Sequence, residues 1–292
     1  MVYTEMVHAT RLHHCQQQGQ KRPQVMDIAP DENPISIQLF DSRPDFMAAA
    51  AQQAVAEGAL TIDINMGCPV NKITRKGGGS ALLRQPDVAV AIVKAVIQAV
   101  DVPVTVKTRL GWSEQEITIL DFARRLQDVG IAMLTLHGRT RSQGYTGPAQ
   151  WDWIAQVKAA LSIPVIANGD IVSVESAIAC LEQTGADGVM CSRGTLGYPH
   201  LVGEIDHFLH HGALKPTPTP VECLYCARHH LQALWDYKGI KGIHQARKHM
   251  AWYSKGFPGA AQLCHSLSRI ESLDMGLQYL DQAIETLEQQ RF

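Results

Sequence analysis

Ahead of residue 215 the chain repeats one pattern seven times: a short β-branched run, then a stretch long enough to return the chain. The runs are Val2–Met6, Ile35–Phe40, Thr61–Asn65, Val102–Thr108, Met133–His137, Ile163–Ala167 and Gly188–Cys191. The clearest helical stretches between them are Phe46–Glu57, Pro86–Val100, Glu116–Val129 and Val174–Gln183, several closing on a glycine such as Gly58, Gly130 or Gly185. Strands joined by helix-length crossovers pair in parallel, so the pattern predicts an α/β fold. Five strand ends carry polar clusters: Asn65-Met66-Gly67-Cys68, Lys107-Thr108-Arg109, His137-Gly138-Arg139, Asn168-Gly169-Asp170 and Ser192-Arg193-Gly194. A doubly wound sheet gathers ligands at one switch point, whereas a (β/α)8 TIM-type barrel brings all strand ends to one face. The barrel accounts for five clusters. It needs eight strands and seven are visible, so the sequence predicts a barrel N-terminally short by one strand, with sheet edges exposed at Val2–Met6 and Gly188–Cys191.

The pattern stops at Lys215-Pro216-Thr217-Pro218-Thr219-Pro220, which neither a helix nor a central strand can contain. Thr219, Pro220 and Glu222 have the spacing of a capping box with proline at the first helical position, and only helical patterns follow. The expected organisation is a barrel over 1–214, a linker over 215–220 and a helical domain over 221–292. Hydrophobic residues at 46% and charged residues at 18% exclude a disordered chain. No apolar run is long enough for a membrane span or a secretory leader, and seven irregularly spaced cysteines read as reduced thiols of a cytoplasmic protein. A monomer is expected.

Cys68 ends a strand beside Asn65, Lys72 and Arg75; taken alone it is either a small buried hydrophobe or a proton donor at a barrel mouth. Lys107 is a snorkelling lysine, a Schiff-base lysine or an electrostatic partner for an electron-rich ring, and His137 is a donor, a base or a satisfied core histidine. Asn168-Gly169-Asp170 and Ser192-Arg193-Gly194 fall where such barrels hold a phosphate. There is no dinucleotide GxGxxG, no Walker loop and no set of residues at metal-ligand spacing. Cys223 and Cys226 have no second pair, which favours core thiols over zinc. The window Arg228–Lys255 holds six Lys/Arg and one acid, interleaved with Trp235, Tyr237, Trp252 and Tyr253. Beside Arg139 and Arg141, it suggests a nucleic-acid surface on a chain whose net charge is only −2.

These segments together resemble one family. IQLF (37–40), DINMGCPVNKITRKGGGSALL (63–83), VKTRLGW (106–112), HGRTRSQGYTG (137–147), IANGDI (166–171), SRG (192–194) and ARKHMAWYSKGFPG (246–259) occur in the order found in the flavin-dependent tRNA-dihydrouridine synthases, most closely the bacterial B-type branch. The resemblance runs from about Val2 to about Gly259. It implies an FMN-binding barrel with a helical domain that grips tRNA, NADPH as reductant, and reduction of uridine to 5,6-dihydrouridine. It further implies Cys68 as the acid at C5 and Asn65 as a contact to the uracil. Gln38 and Lys107 would meet the flavin ring; His137, Asn168, Gly169, Asp170, Ser192 and Arg193 would surround its ribityl-phosphate side. Arg139, Arg141, Arg247 and Lys248 would contact tRNA. Three departures stand out. Ser192 replaces a customary glycine, which is costly if the position needs a positive φ. Asp41 stands where glycine is common, and the Pro-Met pair of the family's first strand is absent. A small-molecule FMN oxidoreductase of dihydroorotate-dehydrogenase type and a flavin-free tRNA-binding remnant are the alternatives.

Overall fold

The computed structural model describes residues 1–29 and 32–289. The chain divides into two compact units, Met1–Asp170 with Ile178–Met190, and Ile171–Ala177 with Cys191–Phe292. In chain order the elements of the first unit are β1 (Val2–Tyr3), β2 (Val7–His8), α1 (Ala9–Gln17), β3 (Ile35–Phe40), α2 (Pro44–Ala56), β4 (Thr61–Met66) and the single turn α3 (Asn71–Thr74). They continue as α4 (Pro86–Ala99), β5 (Val104–Arg109), α5 (Ile119–Val129), β6 (Met133–His137), α6 (Trp151–Ala160), β7 (Val165–Asn168), α7 (Val174–Thr184), whose residues are divided between the two units at Ala177, and β8 (Gly188–Met190).

Every pairing between these strands is parallel, in the order β1-β3-β4-β5-β6-β7-β8, and β2 also pairs with β3. The expected first strand is therefore two pieces in one position. Its ladder breaks because the Thr4 hydroxyl accepts the Gln38 N–H at 3.1 Å, displacing a backbone carbonyl. The sheet has seven strand positions, and among the described residues the outer sides of β1 and β8 carry no strand. The parallel, helix-linked architecture agrees with the barrel class expected from sequence.

Alternation along the strands decides what each face holds. Ile37, Leu39, Ile62, Ile64, Val104, Val106, Leu134 and Leu136 are fully or almost fully buried. The intervening residues are polar, and the register sets Gln38 beside Asp63 and Thr105, Asn65 beside Lys107 and Thr135, and Arg109 beside His137 and Asn168. One face of the sheet is an apolar wall and the other a ladder of polar side chains. The glycine run at 77–79 suggests a helix opening at Ala81; Ala81 instead lies in a 3-10 turn, Gly79–Arg84, and the helix begins at Pro86. The reason is Gly79, held at φ +59° with its Cα 's missing side chain directed at the Cys68 carbonyl; a Cβ there would come within 2.8 Å of that oxygen.

The second unit contains α8 (His200–His211), α9 (Pro220–Lys238), α10 (Ile240–Tyr253), α11 (Ala260–Leu267) and α12 (Leu273–Gln289). Thr219 and Glu222 form the capping box: the Thr219 hydroxyl accepts the Glu222 N–H at 3.3 Å, and the Glu222 carboxylate accepts the Thr219 N–H at 2.6 Å. Leu224, Leu231, Ile243, Met250, Leu267 and Leu280 make the core. Gly242 is required where α9 and α10 meet, since a Cβ there would overlap the Leu234 carbonyl at 2.0 Å. The proline-rich stretch lies within this unit, between α8 and α9. Among the described residues no helix is long and apolar enough to cross a membrane.

Candidate active site

The polar ladder ends at Cys68. Gln38 donates from Nε2 to Asp63 Oδ2 at 2.6 Å, and its Oε1 accepts Asn65 Nδ2 at 2.8 Å. Asn65 Oδ1 then accepts the N–H groups of Gly67 at 3.1 Å and Cys68 at 2.9 Å. On the far side the Cys68 carbonyl accepts the Ser80 hydroxyl at 2.9 Å and the Ser80 N–H at 3.1 Å. Arg109 donates to the carbonyls of Gly67 at 2.8 Å, Thr140 at 3.0 Å and Gly144 at 2.8 Å, tying the cysteine loop to the loop after β6. Cys68 is thus fixed at its own N–H and carbonyl, with the preceding Gly67 carbonyl held by Arg109, and the residue is 8% exposed.

Lys107 points along the same face and donates from Nζ to Asn168 Oδ1 at 2.9 Å, while Asn168 Nδ2 donates to the Met190 carbonyl at 2.8 Å. Asp63 is fully buried, and desolvation pushes its carboxyl up to about 6 against hydrogen bonds from Thr105 and Gln38 and the attraction of Lys107. Desolvation likewise pushes the Lys107 ammonium down to about 8, opposed by Asp63. Gln38, Asn65, Lys107, His137 and Asn168 therefore present amides, a cation and an imidazole on one polar face beside a thiol. The donor set suits a flavin: an amide pairs with the mixed donors and acceptors of its pyrimidine edge, and a cation meets the charge that accumulates there on reduction.

A family model described as "Dihydrouridine synthase (Dus)" matches residues 1–289. This chain belongs to the dihydrouridine synthase family. It is 68% identical over 98% of its length to a "Probable tRNA-dihydrouridine synthase 1" of Synechocystis sp., covering 79% of that protein. It is 46% identical over 85% of its length to a "tRNA-dihydrouridine synthase B" of Xanthomonas campestris, covering 75% of it. To the protein of the same name in Vibrio cholerae it is 47% identical over 84% of its length, covering 77%. The family is one of enzymes, and the B-type resemblance stands.

Within this dihydrouridine synthase the remaining expected residues separate. Arg139, expected at a tRNA contact, is 2% exposed. Its Nη2 donates to both Asp170 carboxylate oxygens at 2.7 Å, its Nε donates to the Gly147 carbonyl at 3.1 Å, and its Nη1 lies 3.3 Å from His137 Nε2. It is an internal strut, because its guanidinium spans the loop after β6 and the Asp170 turn and leaves no face for a ligand as large as RNA. Asp170 also accepts the Ala149 N–H at 2.7 Å and holds φ +59°, the one non-glycine residue at positive φ among those described. Gly169, at φ +118°, packs against His137; a Cβ there would approach its ring within 3.0 Å.

Arg141 stacks over Trp112 at 4.5 Å and donates to Asn71 in the loop following Cys68. Ser192 and Arg193 follow Cys191 at the start of the second unit's longer segment, with Arg193 starting a 3-10 turn. Ser192 adopts φ −137°, so the serine costs no positive-φ strain. Arg247 and Lys248 lie on α10: Arg247 donates to the Ile270 carbonyl at 2.8 Å, and exposed Lys248 stacks on Trp252 at 4.9 Å. In the same unit Tyr253 is core, whereas Trp235 and Tyr237 are exposed. Cys226 lies 3.8 Å from the Tyr253 hydroxyl, and among the described residues no three His, Cys, Asp or Glu side chains could hold a metal.

The sequence reading assigns no role to Asp63, Thr105, Arg109 or Asp41. For the first two the signal was present: each lies two residues before an assigned residue, Asn65 or Lys107, and so on its face of the strand. Asp41 accepts the Thr10 N–H at 2.8 Å and the Thr10 hydroxyl, and so caps α1. Beside it a cavity of about 390 Å³ is lined by His8, Arg11, Phe40, Lys72 and Lys76, next to the loop that follows Cys68.

Proposed function

We propose that this enzyme reduces uridines in tRNA to 5,6-dihydrouridine with bound FMN as the immediate reductant and NADPH as its source of electrons. The observation that carries the reading is the fixed Cys68 thiol beside the amide and ammonium groups of Gln38, Asn65, Lys107 and Asn168 on one polar face. When bound, the flavin supplies the hydride that adds at C6 of the uracil. Cys68 delivers the proton to C5, and its backbone anchors keep the thiol from turning away. Asn65 has an amide with which to orient the uracil edge, and Gln38 and Lys107 hold the flavin ring. His137, Asn168, Gly169, Asp170, Ser192 and Arg193 serve its ribityl-phosphate side, Asp170 through the lock it forms with Arg139.

The barrel, 1–214, is the flavin domain, and 221–292, joined through 215–220, is the tRNA-binding domain. Arg141, Arg247 and Lys248 remain the proposed tRNA contacts. Arg11, Lys72 and Lys76 join them, because they surround a cavity beside the loop of the proton donor. Each phosphate contact steepens the salt dependence of RNA binding. Arg247→Ala with Lys248→Ala, or Lys72→Ala with Lys76→Ala, is expected to flatten the log–log salt slope by about 1 to 2 in filter-binding titrations. An unchanged slope removes that pair from the interface.

The deciding experiment mixes purified protein, FMN, NADPH and an unmodified tRNA transcript, and maps dihydrouridine by mass spectrometry. Formation that requires all three additions is the expected result. NADPH oxidation by free, unsaturated orotate-like pyrimidines, with no change in tRNA, supports the small-molecule oxidoreductase instead. Colourless protein that binds tRNA without turnover supports the remnant.

A further inference from the structure

We propose that Asp63 is a positioning residue for the proton donor: its carboxylate sets the direction of an amide chain, from Gln38 through Asn65 to the Cys68 N–H, and so holds the loop that carries the thiol. A carboxylate accepts hydrogen bonds, and a backbone N–H donates them. Asp63 therefore takes the NH2 end of Gln38, at 2.6 Å, which turns the Gln38 oxygen toward Asn65. That oxygen takes the NH2 end of Asn65, at 2.8 Å, which turns the Asn65 oxygen toward the N–H groups of Gly67 and Cys68. Read from the other end, the two backbone donors demand the same orientation of Asn65 and hence of Gln38. Both ends agree, and every amide in the chain has one satisfied orientation.

Asp63 is itself held. Its second oxygen accepts the Thr105 hydroxyl at 2.6 Å, and it is fully buried, so neither water nor a rotamer change offers Gln38 another partner. Cys68 accordingly owes the setting of its backbone N–H to a residue earlier in its own segment, Asp63 in β4, acting through Gln38 of the neighbouring strand. Without Asp63, the Gln38 amide can turn over; Asn65 then follows, and its NH2 would face two N–H donors. The proposal rests on the reading of Cys68 as the catalytic acid, but the position of the thiol can be measured without turnover.

The test is the rate at which iodoacetamide alkylates Cys68 at pH 8, followed by peptide mass spectrometry on the full chain. Asp63→Leu keeps the branching at Cγ and removes the acceptor, and is expected to speed alkylation about fivefold or more as the loop loosens. Gln38→Met breaks the next link while leaving Asp63 and Thr105 paired, and is expected to do the same. Asp63→Leu with Gln38→Met should be no faster than either alone, since both cut one chain. Asp63→Asn should stay near the parent rate, because its amide can still offer an oxygen to Gln38. In turnover, Asp63→Leu should lower kcat about tenfold with little change in KM for tRNA. Multiplying single effects, or folded Gln38→Met protein with the parent alkylation rate, overturns the proposal even if Asp63→Leu does not fold. Absence of tRNA reduction in the parent protein, with the alkylation pattern intact, would instead strike the functional reading.

Discussion

Cys68→Ala is expected to slow dihydrouridine formation by about 10² to 10⁴, the range over which a positioned general acid contributes. That corresponds to about 3–5 kcal/mol of barrier. Addition of hydride at C6 leaves charge at C5 and the C4 oxygen, and a proton must meet it. Water is a poor substitute at a residue only 8% exposed. The loop should survive the change, because its anchors are the Cys68 N–H on Asn65 and the Cys68 carbonyl on Ser80, neither of which uses the sulfur. Flavin content and melting temperature should therefore match the parent while the single-turnover rate falls. Cys68→Ser, a weaker acid with the same reach, should lie between. A Cys68→Ala protein that reduces tRNA at the parent rate would remove the thiol from the mechanism.

The second large effect concerns stability. Asp170→Asn is expected to destabilise the protein by about 3 kcal/mol, because it leaves the enclosed Arg139 guanidinium without its counter-charge. The value sits at the low end of the range for broken buried pairs because the Asp170 side chain is 33% exposed and partly screened. Asparagine keeps the shape and tolerates the φ of +59°, so the change isolates the charge. For a chain of this size the melting temperature should fall by roughly 6–12 °C. The control is Asp87→Asn, which breaks the Arg125 pair whose aspartate is 91% exposed and should cost less than about 1 kcal/mol. If the two variants melt alike, the Arg139–Asp170 lock is not the strut it is taken to be. Loss of the lock should also free the loop after β6, which meets the cysteine loop through Arg109.

These two sites differ in how far the sequence reveals them. Cys68 stands in a long motif, and its place at a strand end is visible from the alternation of strand and helix alone. Arg139 stands in an equally good motif, and there the fold adds a partner that the motif does not name. An arginine after a strand is as suited to a phosphate as to a carboxylate. Only the fold reveals that Asp170, 31 residues later, arrives first. Arg109 is similar: nothing local says that its guanidinium will collect three carbonyls from two loops. Asp63 is the intermediate case. Its face could be inferred from its spacing to Asn65, but its partners belong to neighbouring strands, and those depend on register.

The sequence by itself determined the parallel α/β class, the helical C-terminal segment with its Thr219–Glu222 cap, and the family, since each is carried by local periodicity, by neighbouring residues or by unbroken motifs. Tertiary structure alone decided which polar groups pair with which. The register lines up Gln38, Asp63 and Thr105, and burial then obliges each to find a partner across strands. It also decided that Val2–Met6 breaks in two and that a 3-10 turn precedes α4, because both depend on a carbonyl or hydroxyl supplied from elsewhere in the chain. Hydrophobic pattern is written along the chain; hydrogen-bond satisfaction is settled only when distant residues meet.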